Sequence, residues 1–148
     1  MVVLSSEAMR SLQENLYKKF STGASVIILE MGVSYGNKIF DEVYKQSRLT
    51  PESEPVTLRS ITQILFKSGF GKITFSEDPE LGRKLSVVVN NCAFCLSSLP
   101  ENNCNFLRGV ILATTGRTYS KQYKSVVACS GGGTEHVCKI ELVANKQN

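Results

Sequence analysis

The spacing of apolar residues changes period at Gly69-Phe70-Gly71, and that change most constrains the fold of this chain. Upstream the period is helical. Leu12, Leu16 and Phe20 recur at every fourth position after Ser5-Ser6-Glu7, which predicts a first helix over about residues 5–19. After Ser21-Thr22-Gly23, a denser pattern from Ala24 to about Gln46 includes Val26, Ile27, Leu29, Val33, Ile39, Phe40, Val43 and Tyr44. It is too broad for one narrow stripe, so this second helix is expected to be buried over much of its surface. Gly32 and Gly36 share one face of it, a turn apart, a spacing that permits close packing of a neighbouring element. Pro51 and Pro55 interrupt the helical pattern, and Thr57 is expected to cap a third helix carrying Leu58, Ile61, Leu65 and Phe66.

Downstream of Gly69 the pattern alternates with a period of two. Lys72-Ile73-Thr74-Phe75-Ser76 and Leu85-Ser86-Val87 read as strands, joined through a segment with Pro79 and Gly82. Asn102 or Asn103 is expected to cap a fourth helix holding Phe106, Leu107, Val110, Ile111 and Leu112 and closed by Gly116. Two further strands are expected, from Tyr119 to Cys129 and from Val137 to Val143, joined across Gly131-Gly132-Gly133. The expected fold class is therefore α+β: three N-terminal helices, then a four-stranded antiparallel sheet of two hairpins with a helix inserted between them. With 148 residues and no internal linker, residues 1–148 read as a single domain.

Composition narrows the function classes. Apolar residues make up 42% and charged residues 20%, and 17 basic against 13 acidic side chains give a net charge of +4, so a disordered chain is excluded. The sequence pI near 8.8 comes with one adjacent basic pair, Lys18-Lys19, which is too little clustering for nucleic-acid binding. The apolar run around Ala24 to Leu29 is far short of the ~20 residues of a membrane span, and Met1-Val2-Val3-Leu4 lacks the features of a secretory signal. A cytoplasmic location is expected. Catalysis is poorly supported: His136 is the single histidine, and the triple glycine lacks the Lys-Ser/Thr of a phosphate loop. No enzyme is expected.

The five cysteines carry more information. An odd number in a reducing compartment argues against a disulfide framework. Cys92 and Cys95 form a C-x-x-C at the end of the second strand, Cys104 precedes the fourth helix, and Cys129 and Cys138 flank the glycine turn on paired strands. Thiolates at a strand-end C-x-x-C are a common zinc half-site, and the turn can bring Cys129 and Cys138 together. Cysteine is equally one of the most buried residue types and packs as a small hydrophobe. On spacing alone both readings stay open.

The segment Cys104-Asn105-Phe106-Leu107-Arg108-Gly109, then Cys129 with its downstream glycines, then Cys138-Lys139-Ile140-Glu141-Leu142, resembles the 4-vinyl reductase domain family. Leu29-Glu30-Met31-Gly32 with Tyr35-Gly36, Gly69-Phe70-Gly71-Lys72 and Val89-Asn90-Asn91 are similar to further segments of that family, so the resemblance spans about residues 25–143. It implies helices against a four-stranded antiparallel sheet, an apolar cavity between them, and a sensor or carrier role for a hydrophobic, hydrocarbon-like small molecule. It also implies a zinc ion, Zn(2+), held by Cys104, Cys129 and Cys138. Where the phenol-sensing members carry a glutamate ligand this chain has Val126, and Cys95 is taken as the fourth ligand, with Cys92 and His136 as the alternatives. A related branch is the set of vesicle-tethering TRAPP subunits. Two other readings are an accessory protein or enzyme of tetrapyrrole vinyl reduction and a TRAPP-like interaction subunit. A homodimer through the second helix (Ile27, Val33, Phe40) is expected.

Overall fold

The computed structural model describes residues 6–47, 54–67, 69–77, 83–90, 92, 104–130 and 137–146. Its elements run α1 (Ser6–Phe20), α2 (Gly23–Ser47), α3 (Glu54–Lys67), β1 (Lys72–Glu77), β2 (Lys84–Asn90), α4 (Asn105–Tyr119), β3 (Tyr123–Ser130) and β4 (Val137–Ala144). The four strands form one antiparallel sheet in the order β1-β2-β4-β3. The two hairpins are thus joined through β2 and β4, with α4 inserted between them, as the change of period implies.

Register fixes which face is buried. Leu85, Val87 and Val89 of β2 stand opposite Leu142, Ile140 and Cys138 of β4, and all six are buried. The intervening positions carry Ser86, Glu141 and Lys139 on the other face, where Ser86 Oγ donates to Glu141 Oε1 at 3.2 Å and Lys139 pairs with Glu141 at 3.0 Å. One polar-out, apolar-in alternation therefore explains both faces of the sheet.

The most enclosed helix is α4, not α2. Its buried residues, including Phe106, Leu107, Gly109, Val110, Ile111, Thr114, Thr115 and Thr118, extend around most of its circumference. A helix with that many enclosed sides needs its polar groups satisfied within itself. The hydroxyls of Thr114, Thr115 and Thr118 do this by donating to the carbonyls of Val110, Ile111 and Thr114, four residues back. In α2, by contrast, Ala24, Ile28, Ile39, Phe40 and Val43 face the core while Val26, Ile27 and Tyr44 are exposed. The dense apolar pattern over residues 24–46 therefore overstates the burial of α2.

The expectation that Gly32 and Gly36 admit a close neighbour holds, and the neighbour is α4. A Cβ on Gly32 would fall on the carbonyl of Phe106, and one on Gly36 would lie 2.7 Å from the carbonyl oxygen of Val110. Gly109 answers from α4: a Cβ there would sit 2.8 Å from the amide nitrogen of Val33 and 3.0 Å from the carbonyl carbon of Gly32. Arg117 secures the far end of this contact. Its guanidinium pairs with Asp41, donates to the carbonyl of Asn37 and lies 4.4 Å from the centroid of the Phe40 ring.

Several boundaries differ from the sequence reading. α3 begins at Glu54, before the expected cap Thr57, because Pro55 fits the first turn of a helix, where no backbone N–H is required. α4 runs past Gly116 to Tyr119, and β3 begins at Tyr123, so Tyr119 belongs to the helix and not to the strand. The expected caps Asn102 and Asn103 and the glycines at 131–133 lie outside the described residues.

Candidate metal centre

The end of β2, the start of α4 and the start of β4 converge on one corner of the fold. β2 ends at Asn90, and Cys92 lies two residues beyond it. Cys104 is the N-cap of α4, and Cys138 is the second residue of β4, opposite Val89. The backbone of Cys104 is left-handed (φ 63°), an uncommon state for a residue with a Cβ, and its side chain makes no cap hydrogen bond. Its carbonyl accepts the first helical bond from the Arg108 amide at 2.7 Å. The cap position is thus spent on placing a thiol and not on satisfying the helix end.

The result is a cluster of three sulfurs. Cys104 Sγ lies 3.1 Å from Cys92 Sγ and 3.0 Å from Cys138 Sγ, and all three lie within 4.8 Å of one another. These separations exceed the ~2.05 Å of a disulfide, and none of the three is disulfide-bonded. Cys104 and Cys138 have no exposed surface and Cys92 very little. Three soft donors converging out of water suit zinc or another thiophilic metal far better than magnesium or calcium.

Each sequence candidate can be placed against this cluster. Cys104 and Cys138 are members, and so is Cys92, the alternative to Cys95. Cys129 takes the register position directly opposite Cys138 in the β3–β4 ladder. Cys95 and His136 lie outside the described residues. The Glu position of the phenol sensors is Val126, which is 70% exposed on the outer face of the sheet. That residue has no access to the buried thiols.

A second set of buried polar groups has no signature in the sequence. On α1, Gln13 is 1% exposed and neither its amide oxygen nor its amide nitrogen has a hydrogen-bond partner. One turn on, Tyr17 accepts a hydrogen bond at its hydroxyl from Asn105 Nδ2 at 3.1 Å. Arg108 Nε is buried and unpartnered, and burial pulls the guanidinium below its ordinary pKa while the nearby Tyr17 opposes this. The Tyr35 hydroxyl is also buried without a partner, its pKa raised by desolvation, with its ring tilted against Phe70 and Phe106. Gln13 and Tyr17 form the buried face of α1, whereas Leu12 and Phe20 of the four-residue pattern are exposed, so that pattern holds no hint of Gln13.

The interface between helices and sheet, where an apolar cavity is expected, holds Phe70, Leu85, Leu107, Ile111, Ile140 and Leu142, each under 2% exposed. Two adjoining open clefts lie at the C-terminal end of α4, of about 660 and 570 Å³, sharing Gly116, Lys121, Gln122 and Asn145.

No protein-family profile matches the chain, and no curated protein matches it in sequence. Solved structures do. The fold is similar to trafficking protein particle complex subunit 3 from Naegleria fowleri, a structure covalently bound to palmitic acid, with TM-score 0.63 and 14% identity over 95% of this chain and 93% of that one. It is also similar to the phenol-responsive sensory domain of the transcription activator PoxR, determined with phenol, with TM-score 0.68 and 15% identity over 97% of this chain and 76% of that one. At these identities the likeness establishes the shared fold, which has ligand-bound examples in two settings. No helix among the described residues is long and apolar enough to cross a membrane.

Proposed function

We propose that this chain is a non-catalytic small-molecule-binding module, a sensor or carrier for a hydrophobic ligand, stabilised by a structural zinc ion. The observation that carries the reading is the buried cluster of Cys92, Cys104 and Cys138. Support for ligand binding comes from the fold, whose similar structures hold palmitic acid and phenol. The motif resemblance to the 4-vinyl reductase domain family points the same way.

Cys104 and Cys138 would hold the metal together with Cys129 and one thiol of the C-x-x-C, either Cys95 or Cys92. The position of Cys92 in the cluster favours Cys92, and the register of Cys129 opposite Cys138 supports its inclusion. A zinc with four protein ligands supplies no activated water, and its contribution is to folding. It would tie the end of β2 and the start of α4 to β4.

Elemental analysis of protein purified under reducing conditions tests this directly. One zinc per chain, with loss of thermal stability on chelation, is expected; absence of metal overturns the zinc assignment. Native mass spectrometry reports a co-purified hydrophobic ligand in the same sample. The expected homodimer draws support from exposed Leu12, Phe20, Val26 and Ile27 on α1 and α2, although Phe40 is buried and Val33 half-buried. Light scattering on the eluting protein reads the oligomer.

A further inference from the structure

We infer that the buried polar groups between α1 and the first turn of α4 form a binding site for a small hydroxy carboxylic acid, with its carboxylate on Arg108 and its hydroxyl on the Gln13 amide. The inference rests on the ligand-binding reading and deepens it by placing the site and naming the ligand's polar end. Gln13 and Tyr17 stand one turn apart on the buried face of α1. The Tyr17 hydroxyl accepts a hydrogen bond from Asn105 Nδ2 at 3.1 Å, and Tyr17 is close enough to Arg108 to act on its charge. Asn105 and Arg108 are three residues apart in α4, so they too share a face. Tyr17 thereby joins Gln13 on one helix to Arg108 on the other in a single polar patch.

The patch is incompletely satisfied, and what it lacks defines the ligand. Gln13 is 1% exposed, yet both Oε1 and Nε2 are without partners, and so is the buried Nε of Arg108. Among the described residues no carboxylate pairs with Arg108. That leaves two N–H donors, one of them on a cation, and one carbonyl acceptor. A carboxylate supplies oxygens for both donors and the charge that Arg108 lacks, and a hydroxyl beside it donates to Gln13 Oε1. Water would satisfy the amide but leave the guanidinium charge unbalanced. Folding gives no reason for an amide at residue 13, because an apolar side chain there avoids the desolvation cost. Polar groups kept unsatisfied in the free protein, at the expense of stability, are what a site for a polar ligand requires. Arg108 is half-buried, so the patch reaches solvent on that side.

The probe is mandelate, titrated into the full chain by calorimetry, with benzyl alcohol as the analogue without the carboxylate and phenylacetate as the one without the hydroxyl. Mandelate is expected to bind, benzyl alcohol at least about tenfold more weakly and phenylacetate about threefold more weakly. Gln13→Met and Arg108→Met should each weaken mandelate by about tenfold, while Arg59→Met, at an exposed position of α3, leaves it unchanged. Gln13→Met gives a second readout: stability rises while mandelate binding falls, a pair of opposite signs that a purely structural amide does not produce. Should Arg108→Met fail to fold, shifts of the Gln13 side-chain amide resonances on adding mandelate to the unsubstituted protein take its place.

Mandelate binding that only equals that of benzyl alcohol or phenylacetate, or that survives both substitutions, overturns the inference. If a neutral hydrophobic ligand co-purifies while mandelate does not bind, this inference fails and the broader ligand-binding reading stands. If no probe binds and no ligand co-purifies, both fail.

Discussion

Gly32 and Gly109 meet backbone to backbone across α2 and α4, each filling the space where the other's side chain would be. This contact sets the distance between the two helices, because the obstacle to any side chain is a neighbouring main chain that cannot rotate away. Gly109→Ala is therefore expected to destabilise the fold by about 3 kcal/mol or more, at the upper end of overpacking penalties. A Cβ on Gly23 meets nothing within 4 Å, so Gly23→Ala should leave stability unchanged or raise it by up to about 1 kcal/mol. Urea denaturation of the two variants reads the contrast; equal midpoints would show that the helices can separate freely.

Gln13 leads to an unusual expectation for a buried polar residue. Both ends of its amide are enclosed and unpartnered, so it carries a desolvation penalty without a compensating bond. Replacing it with methionine, of similar length and no hydrogen-bonding amide, is expected to raise stability by about 1–2 kcal/mol. A loss of stability in Gln13→Met would mean that the amide has a partner in solution.

For the thiols, the zinc proposal predicts that Cys104→Ser and Cys138→Ser each lower zinc affinity strongly and reduce the melting temperature, since a structural zinc would contribute to folding directly. Cys92→Ser and Cys95→Ser separate the two thiols of the C-x-x-C. The variant that releases zinc to a chromogenic chelator identifies the ligand, and release from Cys129→Ser tests the remaining place.

Glu141 gives a pH prediction on the outer face of the sheet. Hydrogen bonding to Lys139 holds its carboxyl below the ordinary glutamate range; burial opposes this, and the charges of Lys139 and Lys84 and the hydroxyl of Ser86 add to the lowering. A carboxyl whose pKa is lower folded than unfolded stabilises the protein above the unfolded value, and that contribution is lost as pH falls through the folded one. The site is largely solvated, so the effect on stability is small and the titration itself is the better observable. Carbon-detected NMR should place the Glu141 midpoint below that of a free glutamate side chain, and Lys139→Ala should move it upward.

Much of the architecture was legible because periodicity is a local property. The alternation at Lys72-Ile73-Thr74-Phe75-Ser76 and the four-residue spacing of Leu12, Leu16 and Phe20 need no knowledge of the rest of the chain. The small-residue face of Gly32 and Gly36 announced a close neighbour, but its identity depends on Gly109, which only tertiary packing selects. The start of α3 lies upstream of the cap that Thr57 offers, because Pro55, a breaker in a helix interior, is tolerated in the first helical turn. Cys104 and Cys138 were legible through motif resemblance, and Cys92 only as one of three candidates, because convergence of a strand end, a helix start and a second strand is non-local. The clefts at the C-terminal end of α4 left no trace, because Gly116, Lys121, Gln122 and Asn145 come together only where the α4–β3 junction meets the end of β4.

The pairing of Val89 with Cys138 gives the sulfur cluster a role as a proofreader of strand alignment. A slip of one residue between β2 and β4 would turn Cys138 to the opposite face of the sheet, and a slip of two would carry it about 7 Å along the ladder. Either error breaks a cluster whose sulfurs must lie within 4.8 Å of one another. Valines 87, 88 and 89 offer little resistance to such errors, since consecutive identical side chains pack almost as well after a shift. A one-residue slip would also bury Lys139 and Glu141, and against a slip of two, which keeps each face, the thiol adds a discrimination that three valines in a row do not.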